Sequence, residues 1–77
     1  MEPDNQIYYK ALGKNISYYR KRAGYTQKDL ADQLHLDRST ISKLETAGAG
    51  VSLHVVFAIA EYLRIPVFRF FLFSKKR

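Results

Sequence analysis

Cysteine is absent from all 77 residues, which excludes disulfides and thiolate metal sites and permits a reducing compartment. Histidine occurs only twice, as His35 and His54, isolated from each other and without metal-ligand spacing, so no metal is expected. There is no phosphate loop, no carboxylate pair in a pocket-like setting and no Cys or His nucleophile arrangement. The chain therefore carries no enzyme signature, and neither a cofactor nor a small-molecule ligand is expected. Acid is scarce: 7 Asp+Glu face 13 Lys+Arg, a formal net charge of +6 with a pI near 9.8. That imbalance points to a polyanionic partner. Internal repeats and low-complexity segments are missing as well. The opening M-E-P-D-N-Q is acidic and polar where a secretion signal needs a basic stretch followed by an apolar one. The largely apolar stretch from Val51 to Phe73 is interrupted by Glu61, Arg64 and Arg69 and broken at Pro66. Each such charge at a bilayer centre costs roughly 2.5 to 3.5 kcal/mol, so no membrane-spanning helix is expected.

What remains reads as a single all-α domain with one modest core, close to the size at which oligomerisation helps. Five helices are expected and no strand. Residues 1–5 read as a loose leader, with Asp4 or Asn5 able to cap a first helix from Gln6 to Ala23, where Leu12, Ile16, Tyr19 and Ala23 recur at spacings of three and four. Gly24 ends it. Ala47 to Val51 forms a glycine-containing joint, and Ser52 caps a fourth helix whose apolar stripe is Leu53, Val56, Phe57, Ala60 and Leu63. Pro66 closes that helix or opens the next. The fifth segment, V-F-R-F-F-L-F, is apolar almost all round, and residues 75–77 form a basic tail.

The most informative stretch is Thr26 to Glu45, T-Q-K-D-L-A-D-Q-L-H-L-D-R-S-T-I-S-K-L-E. Thr26 is an N-cap, and Asp29 three residues on completes a capping box beside the positive end of the helix. Leu30, Ala31 and Leu34 share a face, and small Ala31 lets another helix approach. His35 and Leu36 form a break, and Asp37 caps a second helix from Arg38 to about Glu45. Ile41 and Leu44 point inward there, leaving Arg38, Ser39, Ser42 and Lys43 outside. Those side chains hydrogen-bond phosphate oxygens and base edges, and Arg or Lys pairs with guanine O6 and N7.

These residues resemble the compact five-helix helix-turn-helix domain of phage lambda repressor, Cro and the XRE-type bacterial regulators, over about Ile16 to Phe73. The family pattern is an Arg before the motif, [ST]-Q-x-x-L-A-x-x-L, I-S-x-L-E and then an apolar helix pair. Here it is met by Arg20, Thr26-Gln27, Leu30-Ala31, Leu34, Ile41-Ser42, Leu44-Glu45 and A-E-Y-L at Ala60 to Leu63. The resemblance implies a DNA-binding domain over residues 6–74, with the helix-turn-helix at 26–45. It assigns base reading to Arg38, Ser39 and Lys43, with Thr40 reaching bases or backbone; the alternative for each is a solvated helix face. Gln27 matches the glutamine that packs with its helix N-terminus against a phosphate. Lys28 and Ser42 join it as phosphate contacts, although a small residue at Ser42 also serves close packing. Arg20 and Glu45 are implied to form a structural ion pair tying the first helix to the recognition helix.

Two departures from the family bear on mechanism. Where relatives carry glycine, basic residues and a proline after the recognition helix, this chain has Ala47, Gly48, Ala49, Gly50 and Val51. Compensating charge is available from Lys10, Lys14, Lys21, Arg22 and Lys28 or from the tail. The other departure is the C-terminal surface at 67–74, where Phe70 and Leu63 finish the core but Phe68, Phe71, Leu72 and Phe73 cannot all face inward. An apolar patch of this kind suggests a partner. Small members of the family dimerise through their last helices, so a homodimer is expected; the alternative is a larger core against Tyr8, Tyr9, Tyr18 and Tyr19. The implied function is sequence-specific binding of double-stranded DNA at a pseudo-palindromic operator by a dimeric repressor or controller, in the cytoplasm of a bacterial or phage-infected cell, at the nucleoid. The competing reading is a protein-interaction module, such as an antitoxin or anti-regulator, that uses the aromatic C-terminal surface.

Overall fold

Leu12, Ile16 and Arg20 recur every four residues and turn one stripe of α1 (Gln6–Arg22) into the interior. The computed structural model describes residues 6–46 and 52–73; the leader, the joint at 47–51 and the basic tail lie outside them. Helix α1 stops one residue before Ala23, which is itself exposed, and Gly24 follows at φ 88°, the left-handed region open to glycine. Helix α2 (Gln27–Leu34) opens on the expected capping box. Asp29 N–H donates to Thr26 Oγ1 and Thr26 N–H donates to Asp29 Oδ2, both at 2.9 Å. These bonds to Thr26 hold the Asp29 carboxyl below its ordinary pKa.

The break after α2 is a left-handed cap at His35, φ 58° and ψ 44°. Leu36 N–H closes onto the Ala31 carbonyl at 2.8 Å, so orphan carbonyls of α2 are satisfied and the chain turns sharply. Helix α3 (Arg38–Thr46) then buries Ile41, Leu44 and Glu45. It crosses α1 at Gly13, where a Cβ would stand 2.5 Å from the carbonyl oxygens of both Leu44 and Glu45. Only glycine fits there, a requirement that periodicity does not reveal.

Helix α4 (Leu53–Leu63) starts at Ser52, whose hydroxyl accepts from Val55 N–H at 3.4 Å. Its buried residues are Val56, Ile59, Ala60 and Leu63. Two of the five residues assigned to the apolar stripe are corrected: Leu53 and Phe57 are exposed, Phe57 at 50%. The packed arc is centred nearer Ile59, because α2 and the C-terminal segment meet the helix on that side. Arg64 ends α4 in the left-handed region at φ 60°, a position glycine or asparagine usually takes.

The expected fifth α-helix is instead a five-residue 3-10 helix, Val67–Phe71, preceded by Pro66. Three residues per turn align i with i+3, so Val67 and Phe70 face the core while Phe68 and Phe71 face out together. The described residues thus form four α-helices and one 3-10 helix, with no strand. Leu12, Ile16, Leu30, Ile41, Ile59 and Phe70 meet at the centre. No described helix is long and apolar enough to cross a membrane.

Candidate nucleic-acid interface

Helix α3 is nine residues long and is anchored from one side only. With Ile41 and Leu44 fully buried, the 100° step of a helix sets Ser39 and Lys43 about 40° apart on the opposite face. Arg38 and Ser42 flank them on one edge and Thr40 on the other. Arg38, Ser39 and Lys43 are exposed, whereas Ser42 and Thr40 are half-buried. The first three thus have reach, and the other two sit close to the scaffold. The backbone start of α3 is tight, with Thr40 N–H donating to the Asp37 carbonyl at 3.0 Å.

What holds this face in place is a charged network behind it. Arg20 donates through Nε to Glu45 Oε2 at 2.6 Å and through Nη2 to Glu45 Oε1 at 2.9 Å, a bidentate pair with side chains only 7% and 5% exposed. Its remaining Nη1 donates to the Tyr25 carbonyl at 2.7 Å, in the turn between α1 and α2. Gln27 Nε2 donates to Glu45 Oε1 at 3.0 Å. One carboxylate therefore joins α1, the start of α2 and the end of α3. Among the described residues no buried side-chain polar atom is left without a partner, so the network is fully satisfied.

Gln27 is thus already tethered, which fixes the side chain at the N-terminus of α2 next to α3. The second N–H of its amide remains for an outside acceptor. Lys28 is exposed and paired with Asp32 one turn on, Nζ to Oδ2 at 2.9 Å, and that hydrogen bond raises its pKa. Tyr25 packs against Tyr62 of α4 with ring centroids 5.2 Å apart and the rings tilted by 48°. Side-chain hydrogen bonding with Tyr25, which favours the protonated Tyr62 hydroxyl, raises the Tyr62 pKa. The α1–α2 turn is clamped in this way from both α3 and α4. Lys10, Lys14, Lys21 and Arg22, named above as sources of compensating charge, are all exposed.

At the far end of the molecule the aromatic segment divides. Phe70 is fully buried against Tyr19, at 6.0 Å between ring centroids. Phe73 is half-buried beside Tyr8, at 5.9 Å. Phe68, Phe71 and Leu72 stay exposed at 57%, 39% and 61%, and Phe71 and Phe73 line a shallow cleft with Tyr8, Tyr9 and Leu12 of α1. Sequence reasoning did not single out Asn15, which acts here: its Nδ2 donates to the carbonyls of Phe70 at 2.9 Å and Leu72 at 3.1 Å. An asparagine inside a helix that otherwise alternates apolar and basic positions was the available signal, since asparagine is a poor helix former. No group of three or more potential metal ligands occurs among the described residues.

Residues 16–70 match the helix-turn-helix family. The chain is 34% identical over 64 residues to the competence pilus inhibition repressor of Acinetobacter baylyi, an alignment covering 83% of this chain but 58% of that protein. It is 33% identical over 63 residues to an uncharacterized HTH-type transcriptional regulator of Methanocaldococcus jannaschii, covering 82% of this chain and 96% of the relative. The hypothetical transcription factor NHTF from Neisseria superposes with a TM-score of 0.80 at 27% identity, over 96% of this chain and 85% of that one. The restriction-modification controller protein C.AhdI from Aeromonas hydrophila does so with a TM-score of 0.74 at 29% identity, over 80% and 94%. With the capped turn, the tethered recognition helix and these relatives together, the chain is a member of the XRE, lambda repressor-like helix-turn-helix family of DNA-binding transcriptional regulators.

Proposed function

We propose that the protein is a repressor or controller that binds a pseudo-palindromic double-stranded DNA operator as a homodimer, in the cytoplasm of a bacterial or phage-infected cell. The observation that carries this reading is the outer face of α3: Arg38, Ser39 and Lys43 are exposed on a helix whose opposite face is locked by Ile41, Leu44 and Glu45. In this reading those three side chains meet base edges in the major groove, Thr40 contacts bases or backbone, and Gln27, Lys28 and Ser42 hold phosphates. The net charge of +6 supports a polyanionic target. Two of the relatives are named as a repressor and a controller, which favours regulation by occupancy.

Dimerisation supplies the second half-site. Phe68, Phe71 and Leu72, with part of Phe73, form an apolar surface that Tyr8 and Tyr9 of α1 join at Phe71 and Phe73. A two-fold pairing there sets two recognition helices about 34 Å apart, one turn of B-DNA. Selection of bound duplexes from random DNA tests the whole reading. It is expected to return an inverted repeat with half-sites about 10 base pairs apart. Binding that never rises above the level for unrelated DNA at any salt concentration would sink it.

A further inference from the structure

The last turn of α1, the left-handed end of α4 and the 3-10 helix enclose an open cleft of about 340 Å³. Arg22, Arg64 and Arg69 line it, over a floor that includes Tyr19, Ile65 and Pro66. No carboxylate lines it. The two ion pairs found among the described residues, Arg20–Glu45 and Lys28–Asp32, involve none of these arginines. Arg22 donates from Nη1 to the Tyr18 hydroxyl at 3.2 Å, a bond that leaves its charge unneutralised. Three permanently charged guanidiniums around one cleft repel one another unless an anion sits between them.

Arg64 adds a second observation. It occupies φ 60°, ψ 45°, where glycine would end α4 without steric cost, yet the chain places an arginine there, at the cleft edge. Guanidinium groups fit phosphate oxygens bidentately, and a half-apolar lining with a few convergent charges in about 300 Å³ or more suits a small ligand. No residue of α2 or α3 lines the cleft. Arg20 points to α3, whereas Arg22, two residues on, is rotated about 200° around α1, on the flank where Tyr19 meets Phe70.

We infer that this cleft binds a phosphorylated small molecule of about mononucleotide size, its phosphate held by Arg22, Arg64 and Arg69 and its flat body laid on Tyr19, Ile65 and Pro66. The inference does not depend on the operator reading. Titration of the 77-residue chain with AMP, followed by amide NMR, is expected to give saturable shifts at Tyr19, Arg22, Ile65 and Arg69. Inorganic phosphate should shift the same amides with at least about tenfold weaker affinity, because it cannot use the floor. Arg64→Gly and Arg69→Gln should each weaken AMP binding about tenfold or more. Arg64→Gly should keep or raise the thermal midpoint, and both variants should bind a mixed-sequence DNA duplex within about twofold of the parent. The inference is overturned if no saturable shift occurs up to millimolar AMP, or if the shifts fall at the starts of α2 and α3. It also fails if phosphate binds as tightly as AMP, or if duplex binding falls in step with AMP binding.

Discussion

Replacing Glu45 by alanine leaves the Arg20 guanidinium buried with the Tyr25 carbonyl as its remaining acceptor among its present partners, and also frees Gln27. Breaking a buried pair from one side costs about 3 to 5 kcal/mol, a large share of the roughly 5 to 15 kcal/mol that holds a domain together. Calorimetry of Glu45→Ala should therefore show a strongly lowered thermal midpoint, with Glu45→Gln intermediate. The outward residues behave oppositely. Arg38→Ala and Lys43→Ala should leave the midpoint nearly unchanged and weaken DNA binding by about 1 to 3 kcal/mol, with relaxed preference at particular base pairs. Unchanged base preferences in both variants would remove these residues from the reading head. Asp29 gives a pH test. Its folded pKa lies below the ordinary 3.8, so its stabilisation is complete above that value and is lost as the pH falls through the folded pKa. The gap in thermal midpoint between the parent and Asp29→Ala should accordingly be constant near neutrality and narrow below about pH 3.8.

The crossing of α1 and α3 is set at one point. A methyl group at Gly13 meets two backbone carbonyls that cannot rotate aside, so Gly13→Ala should lose about 1 to 3 kcal/mol despite alanine's better helix propensity. Denaturant midpoints read this directly, and a neutral result would mean that α3 can shift outward freely. The contrast between this glycine and Thr26–Asp29 explains what was legible in the chain. The capping box lies within four residues, and so does the break at His35; local chemistry specifies both. The register of Gly13 against Leu44 and Glu45 is a meeting of distant residues and leaves no periodic trace. Phe57 was misplaced for a related reason: Leu53, Val56, Phe57 and Ala60 make a sound apolar stripe, but which edge of it is covered depends on where α2 and the 3-10 helix arrive. After Pro66 the i, i+3 alignment of the 3-10 helix decides which phenylalanines enter the core. Among the site residues, the family pattern located the tether at Arg20 and Glu45, while Gln27 and Tyr25 as its other members came only from the geometry.

As a whole molecule the protein is asymmetric in character, with an exposed polar and basic face on α3 and an apolar patch where α1 starts and the 3-10 helix ends. That division predicts that assembly and folding can be separated by mutation. Changing Phe71 and Leu72 together to serine spares buried Phe70 and should leave a folded chain. In the dimeric reading, sedimentation should show this variant as a monomer where the parent is a dimer, and its affinity for a two-half-site operator should fall well below the parent's while the affinity for a single half-site is kept. A parent that sediments as a monomer at high micromolar concentration would reassign the aromatic surface.

Asn15 closes the structure in a way that bears on its synthesis. Its amide reaches the carbonyls of Phe70 and Leu72, 55 and 57 residues further along the chain. Tyr19 makes its contact with Phe70 over a similar separation. Contacts between the first and last elements raise the loop entropy that must be overcome before they form, which is unusual in a small helical domain. A nascent chain still held at Arg64 in the ribosome tunnel has its helix-turn-helix sequence complete but lacks Phe70, a central piece of the core. DNA-binding competence should therefore arrive late and abruptly, only after the 3-10 helix has emerged and docked beneath α1.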